Sequence, residues 1–249
     1  MNLTTRPISH AVRAAPGAAA DDIYRDGQYL TKNPTWHAED SQWKARQIEK
    51  ILHKNGIVPR SVAEIGCGAG EILIQLQKAY PEARYSGYEV SPQAFSLCQG
   101  RENDHIHYYL KDLLDEQNAY FDVLLAIDVF EHVDDYLGFI RRGKDKAEYK
   151  IFHIPLDLSV QSLLRGSPIM RQRQTVGHLH YFFKDTALAT LEHCGYEVVD
   201  YLYTGAAVDK ADVPLGPKLL RFPRKILFKL NPDIAVRLLG GYSLLVLAR

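Results

Sequence analysis

The sequence of 249 residues lacks the features that mark secreted, membrane-spanning or strongly nucleic-acid-binding proteins. Its three cysteines form no Cys-x-x-Cys pair, which argues against a disulfide framework or a zinc knuckle and favours a reducing, cytoplasmic compartment. Basic and acidic residues number 30 each, so no net positive charge attracts the chain to nucleic acid. No apolar run is long enough for a membrane span, and residues 1–20 lack the apolar core of a signal peptide.

Strand and helix patterns alternate along most of the chain. Short apolar strands are predicted at 61–65, 84–89, 105–110, 121–127, 148–155, 197–203 and 242–248. Helical patterns are predicted at about 41–54, 71–80, 92–99, 133–142 and 186–194. This alternation predicts an α/β fold in which helices connect parallel strands. The most apolar run, 121–127, is expected at the centre of the sheet.

The chain divides into an N-terminal tail with cap helices, residues 1–55, and a main domain, residues 56–249. Two insertions stand out in the main domain: a loop at 156–177 and a basic helical stretch at 205–241. Apolar residues are interleaved with Lys and Arg over 217–237. That pattern suits a helix at a membrane surface or a helix that packs on its own domain while its charged ends reach water, and we favour the second.

A glycine-rich loop follows the first strand of the main domain, where residues 64–70 read Glu-Ile-Gly-Cys-Gly-Ala-Gly. Glycines allow positive φ angles and leave no Cβ between the backbone and a ligand. Glu89 ends the second strand, where an acid in a dinucleotide fold accepts hydrogen bonds from ribose hydroxyls. Asp112 follows the third strand and could accept from an adenine amino group or start a turn. The spacing predicts a nucleotide-containing cofactor, with a ligand-free turn as the alternative.

As a set, these motifs resemble the class I S-adenosylmethionine-dependent methyltransferases of the broad small-molecule group. The resemblance covers about residues 61–199 and includes Asp-Val-Phe-Glu-His-Val at 128–133. It implies a Rossmann-like three-layer sandwich with a seven-stranded, mostly parallel sheet whose last strand is antiparallel. It also implies S-adenosylmethionine as the cofactor. The cofactor-binding residues that it implies are Glu64, Gly66, Cys67, Gly68, Gly70, Glu89, Val90, Asp112, Leu113, Asp128, Val129 and His132.

N-terminal segments often fold over the cofactor in that family, which suggests a lid made from residues 24–43. This segment is aromatic, with Tyr24, Tyr29, Trp36 and Trp43. Ordinary packing of a first helix on the sheet explains Trp43 equally well. We therefore expect the lid role mainly of the residues that precede the helix.

Methyl transfer from a sulfonium needs alignment of the acceptor more than activation of the leaving group, so a catalytic triad is not required. A base is needed only when the acceptor enters protonated. The candidates are His132, His178 and His180, and each could instead satisfy buried polar groups. The spacing of the last two could suggest a metal, but no third ligand is evident near them in the sequence, so no metal is predicted.

The 156–177 loop follows the fifth strand and carries Arg165, Arg171 and Arg173. Guanidinium groups bind carboxylates and phosphates with paired hydrogen bonds. We therefore predict that Arg171, Arg173 and Tyr181 contact a small, anionic acceptor, with a solvated basic surface as the alternative. The sequence leaves the acceptor atom, the oligomeric state and the presence of activity open.

The motifs leave two other enzyme classes as alternatives. A nicotinamide-dependent oxidoreductase would carry Gly-x-Gly-x-x-Gly, whereas here the third glycine comes one residue early and Glu71 follows it. A glutamate at that helix start would repel a pyrophosphate but tolerate a zwitterionic amino acid. A nucleic-acid or protein methyltransferase is the other alternative, and the zero net charge argues against a nucleic-acid partner.

Overall fold

The computed structural model describes residues 33, 35–36, 38–205 and 215–249, with side chains from 222 onward in the last stretch. Tyr24, Tyr29 and residues 206–214 of the predicted basic insertion lie outside the described residues. The sheet strands are β1 Ser61–Ile65, β2 Arg84–Glu89, β3 Ile106–Leu110, β4 Phe121–Ile127, β5 Ala147–Pro155, β6 Val198–Thr204 and β7 Ser243–Ala248.

The seven strands form one sheet in the order β3-β2-β1-β4-β5-β7-β6. Strand β7 runs antiparallel to both β5 and β6, and the other neighbours pair in parallel. This confirms the predicted mostly parallel sheet with an antiparallel last strand. Strand β4 is the central strand of the seven, as expected from its apolar sequence. Its side chains from Val123 to Ile127 are all buried, because helices and neighbouring strands cover it on both faces and both edges.

Helices cover both faces of the sheet and complete the three layers. The described helices are α1 Ser41–Lys54, α2 Glu71–Ala79, α3 Pro92–Cys98, α4 Tyr136–Gly143, α5 Val160–Arg165, α6 Ser167–Thr175, α7 Lys184–His193, α8 Leu215–Leu230 and α9 Pro232–Leu239. One apolar core joins α1, α2 and α3 to the sheet. A second core joins α4, α7 and α9 to the opposite face.

The segment 156–177 is not the loop that the sequence predicts, because it forms helices α5 and α6. Ser159 and Ser162 form a reciprocal capping box at the start of α5. Gly166 separates the two helices with a φ of +65°, and Pro168 lies in the first turn of α6. These local signals stabilise two short helices beside the carboxyl end of β5.

The described part of the basic insertion forms α8 and α9, which pack against each other. The buried guanidinium of Arg224 donates to the carbonyl of Leu239 at 3.0 Å, which holds the two helices together. Phe222 and Leu230 nevertheless expose about three quarters of their surface. Among the residues described, none of the helices combines the length and the apolar character needed to cross a membrane.

Candidate functional site

The glycine loop after β1 turns sharply into α2. Gly68 and Gly70 have φ angles of +55° and +74°. An added Cβ on Gly68 would lie 2.6 Å from Cδ1 of Trp36, and one on Gly70 would lie 2.5 Å from the ring of Tyr108. Both positions therefore need glycine for conformation and for space. The contact also places Trp36, from the N-terminal segment, directly over the loop.

Glu89 is buried at the end of β2 and ties that strand to the glycine loop. Its carboxylate accepts from the backbone N–H groups of Gly68 at 2.9 Å and of Val90 and Ser91 at 2.8 Å. Burial raises the pKa of Glu89, while these three hydrogen bonds favour its charged form and oppose the shift. The predicted ribose acid thus lies beside the loop, where it orients the loop amides.

A cavity of about 290 Å³ opens between the glycine loop, the N-terminal residues, the ends of β4 and β5, and α6. Its wall includes four acidic side chains, those of Asp40, Glu64, Glu71 and Asp128, and a single lysine, Lys44. Lys44 pairs with Asp128, and Glu71 pairs with Arg101, which lies outside the wall. The remaining lining residues are Trp36, Ala38, Ser41, Trp43, Gly66, Cys67, Gly68, Ala69, Ile72, Ile127, His132, His153, Pro155, Gln172, Val176, His178 and Ser243. This wall is therefore suited to a ligand that carries positive charge.

Glu64 is a buried carboxylate on β1 that faces this cavity. Its Oε2 atom is inaccessible and has no hydrogen-bond partner among the described residues. Burial raises the pKa of Glu64 well above its usual range, and attraction to Lys44 offsets part of that shift. A buried acceptor without a partner is costly, so a bound donor or cation would stabilise this position.

Four polar groups connect α1 to the ends of three strands. The ammonium of Lys44 lies 2.8 Å from Asp128, and Nδ1 of His153 lies 2.6 Å from the other oxygen of that carboxylate. Nε2 of His153 lies 2.8 Å from the hydroxyl of Thr204. Burial alone would raise the pKa of Asp128, but attraction to His153 and Lys44 outweighs it and lowers the pKa. Asp128 also has a φ of +55°, which is uncommon outside glycine.

Glu131, His132 and His178 lie together beside the cavity. One ligand-type atom of each lies within 4.8 Å of those of the other two. The His132 and His178 rings meet edge to face with centroids 4.9 Å apart. Burial, helped by the neighbouring His178, lowers the pKa of His132 to about 4, so this imidazole is neutral at physiological pH. The sequence offered two of these three residues as catalytic candidates but did not single out Glu131.

Several predicted residues lie off the cavity wall. His180 contacts the Val133 carbonyl through Nε2 at 2.9 Å and packs on Tyr136. The Tyr181 hydroxyl donates to the His178 carbonyl. Arg171 and Arg173 are exposed on α6, and Gln172 between them lines the cavity.

Four predicted cofactor residues also lie off the wall. The carboxylate of Asp112 accepts from the backbone N–H of Leu114, and Leu113 is part of an apolar core. Val90 is exposed, and the side chain of Val129 lies close to Gly66. Of the predicted cofactor residues, the wall includes Glu64, Gly66, Cys67, Gly68, Asp128 and His132.

Sequence reasoning missed Lys44, His153 and Gln172. His153 had a signal, since it is a polar residue inside the apolar run of β5. Gln172 would have required recognition of α6 as a helix. Lys44 lies on a helix that carries several other basic residues, so nothing in the sequence marked it.

Residues 63–145 match a family model described as a methyltransferase domain. A ubiquinone biosynthesis O-methyltransferase from Idiomarina loihiensis is 29% identical over 122 residues, which are 46% of this chain and 49% of that protein. Ajmaline N-methyltransferase from Rauvolfia serpentina is 29% identical over 90 residues, which are 33% of this chain and 31% of that protein. The chain thus spans half or less of the length of these curated relatives.

Among solved structures, the N-methyltransferase NodS from Bradyrhizobium japonicum WM9, in complex with S-adenosyl-L-homocysteine, has a similar fold. Its TM-score is 0.59 at 15% identity, and the alignment covers 93% of this chain and 98% of that chain. At this identity the likeness concerns the fold, and it extends over nearly all of both chains.

Proposed function

We propose that this chain is a class I S-adenosylmethionine-dependent methyltransferase. It binds S-adenosylmethionine in the 290 Å³ cavity and transfers the methyl group to a small-molecule acceptor. The observation that carries the proposal is the acidic cavity beside the glycine loop. S-adenosylmethionine has a sulfonium and an ammonium group. The dinucleotide cofactors instead carry a pyrophosphate, for which this wall offers no arginine and a single lysine that is already paired with Asp128.

The residues present fit this cofactor. The unpartnered oxygen of Glu64 would accept from the ammonium group, and Gly66 and Gly68 leave room for close approach to the backbone. Glu89 lies behind the glycine loop and not on the cavity wall, and it would accept from the ribose hydroxyls where the cofactor extends past Gly68, as an acid at that position does in dinucleotide folds. Trp36 and the start of α1 would cover the bound cofactor and exclude water from the transfer.

The cofactor supplies an electrophilic methyl group with a neutral leaving group. The chain must then hold the acceptor in line with that methyl, and such positioning can contribute roughly 7–11 kcal/mol. Gln172, Val176 and His178 are the wall residues on the side where the acceptor would enter. His132 lies on the same wall, and burial holds its pKa at about 4, so it would enter the reaction as a neutral side chain and a weak base.

A small acceptor is supported by the size of the cavity and by the activities for which similar proteins are named. The cavity lies near the lower end of the range for small-molecule sites, roughly 300–1,000 Å³. One relative is named for ubiquinone biosynthesis and another for ajmaline. We also propose a cytoplasmic location, in keeping with three free cysteines, and an anionic acceptor. Arg171 and Arg173 are exposed, so they would contact only an anionic part of the acceptor that extends out of the cavity.

The test is calorimetric titration of the full chain with S-adenosylmethionine, S-adenosylhomocysteine and NAD, followed by label transfer from methyl-labelled cofactor to pools of small molecules. We expect both sulfur compounds to bind and NAD not to bind. Tight NAD binding without binding of the sulfur compounds would contradict the cofactor. Label incorporated only into protein or RNA would contradict the small-molecule acceptor.

A further inference from the structure

Two histidines and one glutamate converge where the sequence predicted no metal. Glu131 and His132 lie in the short turn that follows β4, and His178 follows α6. Their nearest ligand-type atoms lie within 4.8 Å of one another. Atoms that share one ion at about 2.1 Å lie roughly 3–4 Å apart, so small side-chain rotations would complete a site. We propose that Glu131, His132 and His178 bind a divalent transition-metal ion of the Zn²⁺ type, which holds an oxygen atom of the acceptor.

The Glu131 carboxylate is the observation that favours an ion over a hydrogen-bond cluster. Its side chain is 1% exposed, and neither oxygen has a hydrogen-bond partner within the described part of the chain. Nε2 of His132 lies 3.9 Å from Oε1 of Glu131, which is beyond hydrogen-bond distance. Lys44 is already paired with Asp128. A buried carboxylate without compensation is unfavourable, and a cation between Glu131 and the two imidazoles would remove that cost.

His178 is oriented as metal-binding histidines are. Its Nδ1 lies 2.6 Å from the carboxylate of Asp157, so Nδ1 carries the proton and Nε2 keeps its lone pair for a ligand. The backbone carbonyl of Glu131 accepts from the N–H groups of Leu179 at 2.8 Å and His180 at 3.2 Å. These hydrogen bonds hold the His178 segment against the Glu131 turn. The three side chains are therefore positioned by the fold and not by mutual contact alone.

The donor set indicates the class of ion. Two imidazole nitrogens and one carboxylate suit Zn²⁺, Fe²⁺ or Mn²⁺, whereas Mg²⁺ prefers oxygen donors alone. Three protein ligands leave at least one position open. Because His132 and His178 line the cavity and Glu131 lies behind them, the open position would face the cavity.

The position of the ion beside the cavity indicates the chemical class of the acceptor, an inference that rests on the proposed methyl transfer. An acceptor hydroxyl or phenol bound to the ion would ionise more readily and release its proton to water. Its oxygen would then form the new bond to the methyl carbon. The carbon–sulfur bond would break, and its electron pair would return to sulfur. The site thus favours an oxygen nucleophile over an amine.

The experiment treats the full-length chain with a chelator, removes the chelator, and titrates the protein with Zn²⁺, Co²⁺ and Mg²⁺. We expect one Zn²⁺ or Co²⁺ per chain, an absorption band from bound Co²⁺ typical of nitrogen and oxygen ligands, and weaker binding of Mg²⁺. Asp157→Asn should weaken Zn²⁺ binding by about 10–100-fold, as outer-shell changes do. Glu131→Gln and His178→Gln should weaken it more than that. His180→Gln is the matched control and should bind Zn²⁺ like the wild type.

Thermal unfolding separates lost binding from lost folding. Metal-free Glu131→Gln should be at least as stable as the metal-free wild type, because a neutral amide replaces a buried charge. Added Zn²⁺ should raise the Tm of the wild type and not that of this variant. No stoichiometric Zn²⁺ or Co²⁺ in the wild type, or unchanged binding in both Glu131→Gln and His178→Gln, would overturn the site. Failure of methyl transfer with intact metal binding would instead overturn the proposed function.

Discussion

On the proposed cofactor side, residues 64–70 of the cavity wall with Glu89 behind them, the important groups follow strand ends closely along the chain. On the acceptor side, residues 128–132 and 172–178, they are completed by partners from distant segments, namely Lys44, His153, Asp157 and Thr204. The cofactor side depends on backbone conformation and on amide hydrogen bonds. The acceptor side depends on paired and unpaired buried charges. Local motifs can therefore identify the first side, but the second exists only when the chain is folded.

The largest effect is expected on the acceptor side, at Asp128. Replacing Asp128 by Ala leaves the ammonium of Lys44 without its partner. Breaking a fully buried pair costs about 3–5 kcal/mol, and the cost here should be at or below the lower end because the two side chains are 17% and 24% exposed. Asp128→Asn keeps the shape and tolerates the positive φ, so it should cost less. Denaturant unfolding of both variants measures the difference. Equal stability of Asp128→Ala and wild type would show that the pair does not support the fold.

The next effect is on the cofactor side, where Gly68→Val should block cofactor binding. Its side chain would collide with Trp36 and occupy a left-handed conformation, with overpacking worth roughly 1–3 kcal/mol or more. Gly56→Val is the control, since Gly56 has a φ of +66° but open space around it. Calorimetry with S-adenosylhomocysteine should show loss of binding for the first variant only. Similar losses in both would mean that general strain, and not the site, is responsible.

Glu89→Ala should weaken cofactor binding by about 1–3 kcal/mol, as expected for loss of a charged hydrogen-bond partner. Glu89→Gln keeps an oxygen acceptor for the amide of Gly68 and should lose less. The measurement is the Kd for S-adenosylhomocysteine. Unchanged affinity in Glu89→Ala would remove this residue from the site.

A smaller loss is expected from Trp36→Ala, which removes the ring that lies over Gly68. The Kd for the cofactor should rise several-fold, while the Tm of the ligand-free protein stays close to that of the wild type, because Trp36 lies outside the described core clusters. Deletion of residues 1–20 serves as the comparison and should leave the Kd unchanged. A normal Kd for Trp36→Ala would contradict the lid.

The smallest effect is expected on α6, where Gln172 faces the cavity and the two neighbouring arginines face solvent. Once an acceptor is known, Gln172→Ala should raise its KM by up to about tenfold, in line with one lost hydrogen bond. The double variant Arg171→Ala, Arg173→Ala should raise it less, because both side chains point to solvent. Cofactor affinity should be unchanged in either case. A larger effect from the arginines would support the anionic acceptor predicted from the sequence.

The sequence by itself determined the sheet and its cofactor loop. The predicted bounds of β1, β2 and β4 agree with the observed ones. For β1 and β4 the reason is that an apolar run ends at a turn residue, Gly66 in one case and Asp128 in the other. The antiparallel β7 was implied by the family resemblance and is confirmed. These features follow from local periodicity and turn chemistry, which a linear pattern records directly.

Only the tertiary structure decided the acceptor side. Residues 171–173 were predicted to bind with their arginines, but in a helix successive side chains point about 100° apart, and the fold turns Gln172 inward. Likewise, Glu131 and His178 meet because β4 and the segment after α6 end at the same edge of the sheet and share backbone hydrogen bonds. Which charges become partners depends on contacts between distant segments, and no local pattern along the chain encodes those contacts.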